Sequence, residues 1–209
     1  MRLRNIKNKD NILSKSKYLI KDIYEYKGKY KELFNNNNPI MLEIGMGMGK
    51  FIIENAVLNK NNNYIGIERA DSILAKAIKK IENNDVNNLR LIKCDADDLV
   101  NIFSNEIDTI YLNFSDPWPK NRHEKRRLTS KQFLDIYSSI FRDNNKIILK
   151  TDNRAFFEYS IVSLSQYGYK ISNITFDLHN TDETYITTEY EDKFDNEGKP
   201  IYKLECLKM

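Results

Sequence analysis

The 209-residue chain is poor in the residues that build metal and disulfide frameworks. Its two cysteines, Cys94 and Cys206, lie far apart, and its two histidines are His123 and His179. These spacings supply no Cys/His ligand set, so the sequence predicts no metal and two thiols suited to a reducing cytoplasm. Long apolar runs are missing too, and none approaches the roughly 20 residues of a membrane-spanning helix. The opening MRLRNIKNKDNILSKSKY is basic but lacks the apolar stretch of about 7–15 residues typical of a secretory signal. A cytoplasmic globular protein with no membrane partner is expected. Glycine is scarce, with seven in the chain, so three within five positions (Gly45, Gly47 and Gly49) carry information.

What is present is charge, unevenly spread. The net charge of +3 combines ten Lys/Arg and three Asp/Glu in residues 1–31 with a remainder of −4. Residues 1–38 read as a basic arm, helical or partly disordered, with Asn35–Asn38 as a polar linker. Such an arm suits a polyanionic partner. A solvated tail arising from an Asn-, Lys- and Ile-rich composition explains it equally well. From 39 to 209 the chain reads as one domain, in the usual size range and able to bury a substantial core.

Apolar runs bounded by turn residues predict strands at Ile40–Ile44, Tyr64–Glu68, Leu89–Cys94, Ile107–Asn113 and Lys146–Thr151. Helical spacing lies between them: Ile73, Leu74, Ala77, Ile78 and Ile81 share one face, as do Phe133, Leu134, Ile136, Tyr137 and Ile140. Phe156, Phe157, Ile161 and Leu164 give a third such face. The alternation predicts a mainly parallel α/β sheet with helices on both faces. Tyr169–Leu178 and Tyr202–Lys208 then follow with no helix expected between them, which predicts an antiparallel hairpin closing the sheet edge.

The first strand runs into MLEIGMGMGKF, Met41 to Phe51. A P-loop needs four residues between its glycines and Ser/Thr after the lysine; here there are three, and Phe51 follows Lys50. The dinucleotide fingerprint G-x-G-x-x-G is also missed, since these glycines give G-x-G-x-G. The remaining reading is the E-x-G-x-G-x-G loop of S-adenosylmethionine (SAM) sites. Glu43 supplies negative charge beside a cationic cofactor, where a phosphate would be repelled. Glu68 ends the second strand, where a carboxylate can accept from ribose hydroxyls. Asp95 and Ala96 end the third, where an adenine edge would lie.

The fourth strand delivers SDPWPKNRHEKRR, Ser115 to Arg127. Pro117 and Pro119 fix their own torsions and restrict the residues before them, so Asp116 and Trp118 are expected in defined directions. Lys120, Arg122, Lys125, Arg126 and Arg127 follow as a cationic patch, read as a phosphate contact.

LEIGMGMGKF, the D of KCD, NFSDPWPKNRHEKRR, LKTDN and TTEYEDKF together resemble bacterial tRNA (guanine-N7-)-methyltransferase, over roughly residues 40–207. SDPWPK followed by RHxKRR is far more specific than any glycine loop. The resemblance implies a Rossmann-like SAM-dependent methyltransferase fold with a seven-stranded sheet, occupying residues 39–209. It implies SAM as donor, S-adenosylhomocysteine as product, and a guanine of the tRNA variable loop as acceptor. Cofactor contacts would fall to Glu43, Gly45, Gly47, Glu68, Arg69, Asp95, Ala96, Asn113 and Asp116. Substrate contacts would fall to Lys120, Asp152, Thr188, Glu189, Tyr190 and Glu191. RNA contacts would fall to Arg122, His123, Lys125, Arg126 and Arg127. Asn121 departs from a position that is often basic in the family. A monomer and a homodimer fit equally.

Guanine N7 presents a lone pair and no proton, so no obligatory general base is expected. Asp116 is read as the catalytic residue, a carboxylate that positions guanine. Asp152 either completes that clamp or caps the helix beginning near Asn153. The acids of TTEYE do similar work or form a solvated loop. An amine methyltransferase, a non-catalytic RNA-binding protein and a dehydrogenase are the other readings. They are disfavoured, in turn, by the cationic patch, by the intact glycine loop and acids, and by the glycine spacing.

Overall fold

The computed structural model describes residues 6, 8–84, 86–182, 184–194 and 198–208. Seven strands form one sheet in the order β3-β2-β1-β4-β5-β7-β6: β1 Ile40–Ile44, β2 Asn63–Ile67, β3 Leu89–Ile92, β4 Ile107–Asn113, β5 Phe141–Thr151, β6 Lys170–Thr175 and β7 Tyr202–Lys208. The first five pair in parallel, and β7 runs antiparallel to both β5 and β6. The parallel α/β architecture is the one the strand–helix alternation predicts.

Side chains alternate across the pleat, so each strand feeds two cores. Ile40, Leu42 and Ile44 join one cluster with Leu99 and Ile102 of α4 (Leu99–Ile102), Phe133, Leu134 and Tyr137 of α5 (Lys131–Ile140) and Phe156 and Phe157 of α6 (Arg154–Gln166). Met41 borders the other, with Ile52 and Ile53 of α2 (Lys50–Leu58) and Leu74, Ala77 and Ile78 of α3 (Asp71–Ile81). All three predicted helical faces exist.

Two details differ from the sequence-based expectation. First, β6 and β7 pair antiparallel and close the sheet edge as expected, with β6 outermost, but a short helix α7 (Glu189–Phe194) sits between them in the chain. Its six residues, with Tyr190 and Phe194 one turn apart, are too few to establish an apolar period. Second, β5 begins at Phe141, directly after α5, because Ile107 pairs with Phe141 before the ladder shifts to Thr109 and Lys146.

The basic segment ahead of β1 is tied to the sheet. Residues Lys9–Lys15 form α1, which packs on α3. Leu19 bridges Leu91 in parallel, with Leu91 N–H donating to Tyr18 O at 2.8 Å and Ile20 N–H to Leu91 O at 3.0 Å. This covers the β3 edge, whose free backbone groups would otherwise invite another strand. Further on, the Glu106 carboxylate accepts from the backbone N–H of Gly28 (3.0 Å) and Tyr30 (3.1 Å), and Tyr30 is fully buried against Phe103. Residues 1–5 and 7 lie outside the described residues.

Candidate active site

The sheet changes direction between β1 and β4, and a cleft of about 690 Å³ opens at their carboxyl ends. That crevice is where ligands of open α/β sheets bind. Its lining includes Gly45 after β1, Glu68 and Arg69 after β2, Asp95 and Ala96 after β3, and Asn113 to Asp116 after β4. One site therefore gathers Glu68, Asp95 and Asp116 from the ends of three separate strands, while Glu43 and Gly47 of the predicted cofactor contacts lie outside its lining.

The glycine loop turns because three residues adopt positive φ: Gly45 (74°), Gly47 (58°) and Gly49 (81°). Gly45 N–H and Met46 N–H both donate to Ile67 O at 3.0 Å, which pins the turn to β2. Met46 points inward and is buried, anchoring the loop in the core. Gly49 serves packing as well, because a Cβ there would meet Ala77 of α3 at 3.3 Å. At Gly45 and Gly47 a Cβ would face open space, a cradle that admits a ligand close to the backbone.

Behind this loop Glu43 is almost wholly buried, at 2 % exposure. Its Oε1 accepts from Asn113 Nδ2 at 2.8 Å, while its Oε2 and Asn113 Oδ1 have no partner among the described residues. Burial pushes the Glu43 carboxyl up to about 8, opposed by the Asn113 hydrogen bond and the Lys150 charge. In the free protein Glu43 is therefore mostly protonated at neutral pH, and the negative charge expected there forms only when something offsets its burial. Glu68 accepts from Ala70 N–H at 2.9 Å, and Arg69 and Asp95 form an exposed pair at 3.8 Å. Cys94 also lines the cleft, and burial pushes its thiol up to about 12, so it offers no thiolate.

Across the cleft, Asp116 is exposed and has no hydrogen-bond partner among the described residues. Two positions away on each side the backbone is strained: Phe114 has φ 51° and Trp118 φ 42°, both without glycine's freedom. Phe114 N–H donates to Lys150 O at 2.8 Å, and its ring stacks on Tyr190 at 4.8 Å. Trp118, Lys125 and Arg126 complete this side of the lining. Lys120, Arg122 and His123 lie on the adjoining segment but outside the lining.

The TTEYE segment packs alongside. Thr188 and Glu191 form a capping box: Glu191 N–H donates to Thr188 Oγ1 at 3.1 Å and Thr188 N–H to Glu191 Oε2 at 2.7 Å. Glu191 Oε2 also receives Lys150 Nζ at 2.8 Å, a pair with side chains 0 % and 5 % exposed. Burial pulls the Lys150 ammonium below its usual range, and the Glu191 charge opposes that. Glu189 accepts from Lys50 N–H at 3.0 Å and from Lys80. Tyr190 is exposed, and its hydroxyl donates to Asp152 at 3.0 Å. Asn153, not Asp152, caps α6, accepting from Phe156 N–H at 2.9 Å. Of the six predicted substrate contacts, none lines the cleft itself, and Thr188 and Glu191 are buried and engaged with each other.

This geometry has relatives. Residues 37–204 match a family model described as "Putative methyltransferase". The chain is 52 % identical over 208 residues to a tRNA (guanine-N(7)-)-methyltransferase of Geobacillus sp. (strain WCH70), covering 98 % of this chain and 94 % of that one. It is 47 % identical to the enzyme of that name from Streptococcus gordonii (strain Challis), covering 99 % of each. The chain belongs to the tRNA (guanine-N(7)-)-methyltransferase family. A 16S rRNA (adenine(1408)-N(1))-methyltransferase from Catenulisporales acidiphilia, solved with cosubstrate SAM, shares the fold at a TM-score of 0.64 and 10 % identity, covering 87 % and 91 % of the two chains.

Within this family member several residues shape the site that the sequence did not single out. Lys150 joins β5 to α7, also lying 5.1 Å from the Phe51 ring and donating to Ile186 O at 3.1 Å. Phe114 and Tyr159 act through ring contacts that only the fold creates. For Thr188 and Glu191 a signal was present: T-x-x-E is the sequence pattern of a helix cap.

Proposed function

We propose that this member of the family methylates N7 of a guanine in the tRNA variable loop, with SAM as donor and S-adenosylhomocysteine as product. The observation that carries the reading is the shared cleft. Its β1–β3 side presents the open cradle at Gly45 and the acids Glu68 and Asp95; its β4 side presents Asp116, Trp118, Lys125 and Arg126. The unpaired Oε2 of Glu43 and Oδ1 of Asn113 fit a ligand bearing hydrogen-bond donors and positive charge. SAM, when bound, supplies a methyl group on a sulfonium centre.

The residues then have distinct work. Glu68 and Asp95 hold polar edges of the cofactor, while Gly45 and Gly47 leave it room. Asp116 accepts from the N1–H and N2 amino group of guanine and steadies the positive charge developing on the base. N7 needs no deprotonation, so placement supplies the catalysis. The Lys/Arg stripe beside the cleft holds phosphates. Tyr190, stacked on Phe114 and bonded to Asp152, braces the Asp116 side of the cleft from outside its lining. The cytoplasm supplies tRNA, and no helix among the described residues is long and apolar enough to cross a membrane.

The test is to incubate the protein with radiolabelled SAM and tRNA, then map chain cleavage after reduction and aniline treatment. Label in tRNA with cleavage at one variable-loop guanine is expected; label in protein, or none, overturns the reading. Asp116→Ala is expected to lose about 10²-fold in turnover while keeping most of its tRNA affinity. Near-normal turnover in that variant removes Asp116 from the reaction.

A further inference from the structure

The cationic run is a 3-10 helix, Asn121–Arg126, closed by Arg127 N–H donating to Glu124 O at 2.9 Å. Three residues per turn bring positions i and i+3 onto one face, so the run divides into three stripes. His123 and Arg126 pack on Trp118, with ring centroids at 5.6 Å and the guanidinium 4.9 Å from the indole. Glu124 and Arg127 both meet Tyr159: its hydroxyl donates to Glu124 at 3.1 Å, and the Arg127 guanidinium lies 4.3 Å from its ring. Arg122 and Lys125, both exposed, take neither ring.

Arg127 does one thing more. Its Nε and Nη2 donate to Trp118 O at 3.3 and 3.1 Å. Trp118 has φ 42°, and it precedes Pro119, which pushes the residue before it toward extended backbone. A turn disfavoured twice persists only when its surroundings fix it. Arg127 is half-buried, with its guanidinium over the Tyr159 ring and its fork on the Trp118 carbonyl, which leaves it little freedom to reach a phosphate.

We infer that Arg127 is a positioning residue that clamps the Ser115–Pro119 turn, and that Arg122 and Lys125 are the phosphate-facing stripe of the run. This rests on the reading that Asp116 holds the base. Lysine is no substitute, having neither a planar fork nor a face that stacks.

Trp118 is the chain's one tryptophan, so intrinsic fluorescence reports this turn directly. R127A, R127K and R122A are compared with the parent by acrylamide quenching without tRNA, by the salt dependence of tRNA affinity, and by turnover at saturating tRNA. In R127A the quenching constant is expected to rise about twofold as the turn opens. Turnover is expected to fall about tenfold or more through misplacement of Asp116, while the salt slope stays that of the parent. R127K behaves like R127A. R122A instead lowers the salt slope by about one and leaves quenching unchanged. Unchanged quenching in R127A, a slope loss equal to that of R122A, or rescue by R127K overturns the inference. If R127A does not fold, Tyr159→Leu removes the supporting ring and is expected to raise quenching at an unchanged slope; unchanged quenching there overturns it equally. Failure of the parent to label tRNA defeats the functional reading alone, because quenching and salt slope still decide the clamp.

Discussion

The two walls of the cleft both hold backbone in the left-handed region, but with different residues. On the β1 wall the positive φ values fall on Gly45, Gly47 and Gly49, which adopt them without steric cost. On the β4 wall they fall on Phe114 and Trp118. There the conformation is held from outside: by Tyr190 against Phe114, by Lys150 O accepting from Phe114 N–H, and by Arg127 on the Trp118 carbonyl. One wall is a glycine turn pinned to β2, and the other is a strained turn of larger residues propped by β5, α6 and α7. Both walls are tied to their neighbours, the glycine loop through Ile67 O, but only the β4 wall relies on such contacts to hold residues other than glycine in the left-handed region.

The sharpest way to break this contrast is to remove the prop. Lys150 is buried, bonded to Glu191 and Ile186 O, and its strand carries the carbonyl that fixes Phe114. Lys150→Ala removes one partner of the buried Lys150–Glu191 pair, which costs about 3–5 kcal/mol. With roughly 2–4 °C lost per kcal/mol in a chain of this size, the melting temperature is expected to fall by about 6–20 °C. The double variant Lys150→Met with Glu191→Leu is expected to recover much of that loss without recovering turnover. A melting curve for Lys150→Ala that overlays the parent would mean the β4 wall stands without α7.

The same contrast explains what could be read from the sequence. The glycine triplet, the strand-end acids Glu68 and Asp95, and the apolar faces of α3, α5 and α6 are local patterns, and each appears where its spacing places it. The props are not local. Nothing near Phe114 announces a left-handed residue, because its partner Tyr190 belongs to a helix of six residues, too short to show an apolar period. Arg127 reads as one more cation in a basic run until the three-residue turn sorts it onto Tyr159. The order of β6 and β7 is hidden for a similar reason: alternation identifies a strand but not its neighbour. Asn113 was implied by family resemblance, yet its bond to Glu43 joins residues from two strands and shows only in the fold.

A second test bears on the β1 wall and is read against pH. Burial holds the Glu43 carboxyl at about 8 in the folded protein, against about 4.5 when unfolded. A raised carboxyl stabilises the fold fully below about 4.5, and that contribution is lost as pH rises through about 8. Glu43→Gln keeps an acceptor for Asn113 and never ionises. Its stability is therefore expected to decline less between pH 5 and 8, by up to about 1.4 kcal/mol for each pH unit in that window. S-adenosylhomocysteine is expected to bind the variant more weakly, since an amide cannot supply the charge. Parallel stability curves for parent and variant would show that Glu43 already ionises freely, which would place water or a cation beside its Oε2.

The smallest effects come from a mirrored pair of substitutions, one on each wall. At Gly45 an added Cβ meets nothing within 4 Å, so Gly45→Ala costs only left-handed backbone strain, about 1 kcal/mol. At Phe114 the reverse change, Phe114→Gly, removes similar strain but gives up the stack on Tyr190, worth about 0.5–1.5 kcal/mol, and loosens the unfolded chain. The net stability change is expected to be within about 1 kcal/mol in both variants, a shift of a few degrees by calorimetry. Function is expected to separate them. Gly45→Ala weakens S-adenosylhomocysteine binding because the methyl group fills the cradle. Phe114→Gly keeps that affinity but loses turnover, because Asp116 is no longer held. A large destabilisation by Phe114→Gly would instead make Phe114 a core anchor that happens to border the cleft. The strain at φ 51° would then be a by-product of packing, and the β4 wall would need no account in terms of catalysis.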